Sequence, residues 1–224
     1  TRPKIAFTRK SRSCSGVSTV SDANFPNPTI FHSPPHMAGM NATSSKNEET
    51  YTGRLLAFTI PARHARGRLV RLDDVLDEIL AAHDYPAPVT HLLAEALVLA
   101  VLIGGLVKDD GSQVTMQAQT EAGAVSLLVC DYKGGELRGY VEFDEGKLAE
   151  LGANPSLFAL FGKGYLAITF DLVGGQGRYQ GIVPLEGDSL AEACERYFYQ
   201  SEQVPTLIRC AVRSDGAGVK AAGL

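Results

Sequence analysis

The stretch "LLAEALVLAVLIGGLV", Leu92 to Val107, decides what kind of protein this is. It is the longest apolar run of the chain, interrupted by Glu95 and ended by Gly104 and Gly105. Spanning a bilayer takes roughly 20 apolar residues, so the run reads as a buried helix rather than a membrane anchor. Pro88 suits the first turn of that helix, where a missing N–H is no loss. A helix that is apolar nearly all round needs cover on every side, which places it at the centre of the fold.

Before it, "LDDVLDEILAA" sets Leu72, Val75, Leu76, Ile79 and Leu80 on one helical stripe, with Asp73 and Asp74 near the positive end of the dipole. Pro86 stops this helix. Further upstream, "LLAFTI" is a candidate first strand. The basic cluster Arg63, Arg66, Arg68 and Arg71 reads as a solvated loop partly paired with Asp73 and Asp74.

Beyond the central helix come strands. "QVTMQAQT" alternates strictly, with Val114, Met116 and Ala118 on one face, as a half-buried strand does. "AVSLLVCDY" is more continuously apolar and reads as covered on both faces. "ELRGYVEF" alternates again, and "GYLAITFDL" with "VGGQGRYQGIVPL" reads as strand, Gly-rich turn, strand. In "DSLAEACERYFYQSEQ", Ser189 and Glu192 have capping-box spacing, and Leu190, Cys194, Tyr197 and Phe198 form an apolar stripe. Pro205 ends this helix and "PTLIRCAVR" returns to strand. Helices first, strands next, then a helix and a strand argue for an α+β fold. The expectation is a single domain, residues 51–224, with a largely antiparallel sheet packed by helices.

Residues 1–50 show no sustained period and are rich in Ser, Pro, Asn and Thr, so they are left out of the fold as a disordered or non-native leader. The first twenty residues have the composition of an organellar transit peptide. The preferred reading is that the segment is not native coding sequence, with Met40 starting a short leader to the folded part.

Catalytic and metal chemistry find little support. Cys14, Cys130, Cys194 and Cys210 form no C-x-C or C-x-x-C pair, so no metal site follows from spacing. His64 lies among arginines, and His83 and His91 are separated by two prolines. "GGQG", Gly174 to Gly177, precedes a strand rather than a helix and reads as a hairpin turn, not a phosphate cradle. The enzyme alternative would use Cys130 or Cys210 as nucleophile. Asp131 beside Cys130 would raise its pKa, and Arg209 points to the face opposite Cys210. The net charge of -4 gives a nucleic-acid partner no electrostatic support.

Four ordered blocks, "GRLVRLDDVLDEILAAHDYP", "QTEAGAVSLLVCDYKGGELRGYVEF", "RYQGIVPLEGDSLAEACERYFYQSEQVPT" and "LIRCAVR", resemble together the heat shock protein 33 family, the redox-regulated 33 kDa chaperonins. The resemblance runs from about residue 55 to Leu224 and is closest to bacterial members. It implies an ATP-independent holdase, not an enzyme. Its partners would be unfolded proteins, bound under heat or oxidative stress by a homodimer in the cytoplasm, without nucleic acid or membrane. It would lie in an organelle instead if residues 1–39 are a transit peptide. A full-length member carries zinc on C-x-C and C-x-x-C pairs in a small C-terminal domain. This chain has neither pair, so no cofactor is expected in it, and it reads as the client-binding fragment without the switch. The client-binding residues stay unassigned at this point.

Overall fold

The computed structural model describes residues 18–19, 53–107, 109, 111–173, 177–216 and 218–224. The expectation for residues 1–50 therefore lies outside the described residues. The exception is the backbone of a two-residue strand, β1 (Ser18–Thr19), paired with Leu137 and Glu136.

The apolar run forms helix α2 (Ala87–Gly104), with thirteen of its eighteen residues buried. Its length and composition would let it cross a membrane, but two antiparallel sheets cover it instead. On one side lie β4 (Gln113–Thr120), β5 (Val125–Lys133) and β6 (Glu136–Phe143). On the other lie β3 (Ala65–Leu72), β9 (Cys210–Asp215) and β10 (Gly218–Gly223). Contact with both sheets is why the helix can be apolar all round. Two glycines let the backbones come close. A Cβ on Gly139 of β6 would meet Leu93 Cδ1 at 2.7 Å, and one on Gly223 of β10 would overlap Val98 Cγ1.

The larger sheet is completed by β7 (Gly164–Leu172) and β8 (Gly177–Pro184), in the order β1-β6-β5-β4-β7-β8. The smaller sheet has the order β2-β3-β10-β9, with β2 at Leu55–Ile60. All strand pairs are antiparallel. The fold is α+β, as expected, but with two sheets around the helix rather than one. Tight hairpins set the register. Gly134 and Gly135, at φ 56° and 88°, link β5 to β6 with the positive φ pair of a type I′ turn. The β7–β8 hairpin pairs Leu172 with Gly177, so the strand reading after "GGQG" holds. Its turn, Gly174 to Gln176, lies outside the described residues.

The remaining helices pack around this core. They are α1 (Asp74–Ala81), the short α3 (Glu145–Ala149) and α4 (Leu157–Phe161), and α5 (Leu190–Tyr197). Ser189 Oγ accepts from Glu192 N at 3.2 Å, while the Glu192 carboxylate accepts from Asp188 N at 3.0 Å. The capping box is thus shifted by one residue on its return bond. A π-helical turn, Phe198–Glu202, ends α5, and Gln203 takes φ 56° before Pro205.

Three local expectations change. "ARHARGRLVR" is not a loop: it is the tip of the β2–β3 hairpin and most of β3. Arginines on both faces hide the strand: Arg66 and Arg68 share the side of the buried Val70 and Leu72, and Arg71 shares the other with the exposed Leu69, so no apolar and polar alternation survives. β5 is covered on one face only, with Leu128, Cys130 and Tyr132 buried and Leu127 and Val129 half-buried. The strand read from "PTLIRCAVR" begins at Cys210, not at Pro205.

Candidate functional site

Strand register determines which side chains stand together on the face of the larger sheet turned away from α2. Pairing across β6, β5, β4, β7 and β8 puts residues there in rows. Arg138, Asp131, Thr115, Thr169 and Gln180 form one row. The next runs Tyr140, Val129, Gln117, Ala167, Ile182. The last runs Glu142, Leu127, Gln119, Tyr165, Pro184. A bulge between Val125 and Leu127 brings Leu127 opposite Glu142.

The face is polar at one end and apolar at the other. At the polar end Asp131 accepts from Thr115 Oγ1 at 2.5 Å and Gln113 Nε2 at 3.1 Å, and pairs with Arg138 at 3.5 Å. Gln180 donates to Thr169 Oγ1 at 2.6 Å. At the apolar end Ile182 is 58% exposed, Tyr140 47% and Tyr165 39%. Between them Gln119 Oε1 accepts from Tyr165 OH at 2.9 Å and from Gln117 Nε2 at 3.0 Å. These amides already have partners, so covering this end with an apolar chain leaves fewer polar groups unsatisfied. A half-apolar sheet face with amphipathic tyrosines can accept many shapes.

None of these residues was singled out from sequence. The available signal was an aromatic on the polar phase of an alternating strand: Tyr140 and Tyr165 break the expected pattern. Which of them share a patch depends on long-range pairing, which no local pattern contains.

The sequence-level candidates for other chemistry are dispersed. His64 sits at the tip of the β2–β3 hairpin, His83 stacks on Tyr85 at 4.7 Å, and His91 Nε2 meets Ser214 Oγ at 2.7 Å. Among the described residues no three His, Cys, Asp or Glu side chains stand close enough to hold a metal ion. The cysteines are poor nucleophiles. Cys130 is fully buried, and burial, with the Asp131 charge second, pushes its thiol far up. Cys194 is likewise raised by burial, then by the Glu95 charge. Burial and the Glu95 charge push Cys210 up to about 12. Cys14 lies outside the described residues. Tyr197 and Phe198 are core residues, as expected, and Tyr197 donates to Glu202 Oε1 at 2.8 Å.

The Hsp33 protein family model matches residues 53–224. A 33 kDa chaperonin of Caulobacter vibrioides is 43% identical over 166 residues, covering 72% of this chain and 54% of that protein. One from Escherichia coli is 42% identical over 159 residues, covering 70% of this chain and 52% of the relative. The chain thus spans about half the length of the curated relatives it matches. The crystal structure of the 33 kDa chaperonin from Thermotoga maritima, 24% identical, covers 75% of this chain and 59% of its own with a TM-score of 0.63, a likeness of fold. With its family model matched from Gly53 to its last residue, this chain belongs to the Hsp33 family.

Proposed function

We propose that this chain is the polypeptide-binding part of an ATP-independent holdase. It holds non-native proteins during heat or oxidative stress, acts in the cytoplasm, and is a homodimer when active. The observation that supports this most is the exposed apolar end of the larger sheet. Tyr140, Val129, Leu127, Tyr165 and Ile182 stand there in two adjacent rows on a rigid scaffold. Non-native clients share exposed hydrophobic side chains and little else, and such a patch recognises that feature.

Zinc, which the family resemblance brings with a full-length member, has no fit among the described residues. The thiols of Cys130, Cys194 and Cys210 are held protonated on separate strands and a helix, with no cluster of ligands around them. No step of the binding mechanism is routed through it.

The test is light scattering of a thermally unfolding client with the chain in excess. The Tyr140→Ser, Ile182→Ser double variant changes two exposed side chains and leaves the core untouched. Suppression of scattering is expected to fall several-fold while the far-UV dichroism stays that of the parent. Full suppression by the double variant would remove the sheet face as the client site.

A further inference from the structure

The β2–β3 hairpin leaves the body of the protein after its first residues. Leu55 and Val70 are buried, but the positions beyond them are exposed or half-exposed. β3 pairs with β10 only at Val70, Arg71 and Leu72, and β2 is the edge of its sheet. The outer part is therefore a two-stranded ribbon, and such ribbons are marginal in water by themselves. Its two faces differ. Leu56, Phe58, Ile60 and Leu69 stand on one face, 37 to 45% exposed, with the Phe58 ring across Gly67. Thr59, Arg66 and Arg68 stand on the other.

Two features of this ribbon indicate an occupant. Between Arg54 and Pro61 the β2 edge, Leu55–Ile60, carries neither charge nor proline to block strand pairing. The segment from Arg54 to Leu72 also holds five arginines and no acid, leaving 16 basic against 25 acidic residues elsewhere. Arg68 donates to Gly105 O and Arg71 pairs with Asp73. Arg54, Arg63 and Arg66 have no ion pair among the described residues. A lipid surface fits poorly, because hydrocarbon cannot satisfy the open backbone of a sheet edge. A second copy of the ribbon would bring like charges together. An extended chain with alternating apolar and acidic residues satisfies the backbone, the apolar face and the arginines at once.

We propose that the β2 edge is a strand-addition site for extended polypeptide segments in which apolar and acidic residues alternate. It is a second contact, remote in sequence from the sheet face, and it rests on the polypeptide-binding reading above. The added strand sets its apolar side chains beside Leu56, Phe58 and Ile60. Its carboxylates lie on the opposite face, within reach of Arg66 and, at the tip, Arg63.

The test uses the whole chain and blocked, fluorescent eight-residue peptides of alternating Val and Glu or Val and Lys, read by anisotropy. The Val/Glu peptide is expected to bind at least about tenfold tighter than Val/Lys. The Arg63→Glu, Arg66→Glu double variant, at two exposed positions, is expected to reverse that order. Methylating alternate backbone nitrogens of the Val/Glu peptide is expected to abolish binding in one of the two possible phases. Equal affinity for both peptides, or unchanged binding of both methylated forms, would overturn strand addition. So would binding to phosphatidylglycerol vesicles that displaces the peptide, or self-association that does. Client suppression by light scattering is read in parallel. If it persists while the peptides fail, the edge proposal alone falls; if suppression is absent from the parent chain, the holdase reading falls.

Discussion

Single atoms decide two features of the core. Gly139 is the one position of β6 where α2 lies too close for a side chain, since a Cβ there would come within 2.9 Å of both Leu93 Cδ1 and Leu97 Cδ2. Gly139→Ala is expected to lower stability by about 1–3 kcal/mol through overpacking, read as a lower urea midpoint with an unchanged slope. Nothing in "ELRGYVEF" marks this glycine as a contact, because the residues it must clear are more than 40 positions upstream. Glu95, the one charge in the apolar run, reads from sequence only as an interruption. In the fold its carboxylate accepts from Ala191 N at 3.1 Å and caps α5. Burial holds the carboxyl above its ordinary range, the amides of Ala191 and Leu190 oppose this, and the Glu192 charge adds to it. Between its unfolded and folded pKa the native state carries the extra proton, so the contribution of Glu95 to stability falls as pH rises through that window. Glu95→Gln keeps an acceptor for the amide and removes the titration. The variant is expected to melt above the parent at pH 7 and level with it near pH 4; a variant that melts lower at both would show that the charge itself secures α5.

At the scale of elements, α2 carries the architecture. Leu93 and Leu97 face the larger sheet, and Val98 and Leu102 face the smaller one. Both sheets therefore share one core, and a cavity in the helix is felt on both sides. Leu97→Ala, at a fully buried position, is expected to cost about 2–5 kcal/mol. Amide exchange should rise in step in β5 and β10, the two sheets opening as one unit. Faster exchange in β5 alone would mean that the sheets are separate cooperative units. The sequence pattern shows most of these elements, because β4, β6 and α5 carry a clear period and α2, β2 and β7 are apolar runs bounded by Gly, Pro or polar residues. It hides β3, whose arginines fall on both faces and break the alternation, and it hides α3 and α4, which are five residues each and too short for a period to register. The division into two sheets also escapes it: β9 and β10 join β2 and β3 across more than 130 residues, and only the all-round apolar surface of α2 hinted that something must lie on its far side.

At the scale of the whole chain, the proposed client binding and redox sensing ask different things of the described residues. A redox sensor needs an accessible thiolate, and the described cysteines are the reverse. Cys130 and Cys194 are buried, and burial with the Glu95 charge pushes even the half-buried Cys210 up to about 12, so it is held as the thiol at pH 7. Peroxide reacts with the thiolate form, so these three residues oxidise slowly while the fold is intact. The sheet face proposed to bind clients, in contrast, already exposes Tyr140, Tyr165 and Ile182 without any chemical step. Suppression of client aggregation by this chain is therefore expected to be equal in dithiothreitol and after peroxide, within about twofold. A Cys130→Ser, Cys210→Ser variant should suppress to the same extent, because neither thiol lies on the open face. Suppression that appears only after peroxide would overturn this. Repeating it with Cys14→Ser would then assign the switch: loss of the peroxide effect would place it at Cys14, and its persistence would mean that the core thiols become reachable when the protein is heated. Equal suppression in both conditions would mean that the holdase activity of this chain does not depend on the oxidation of its thiols.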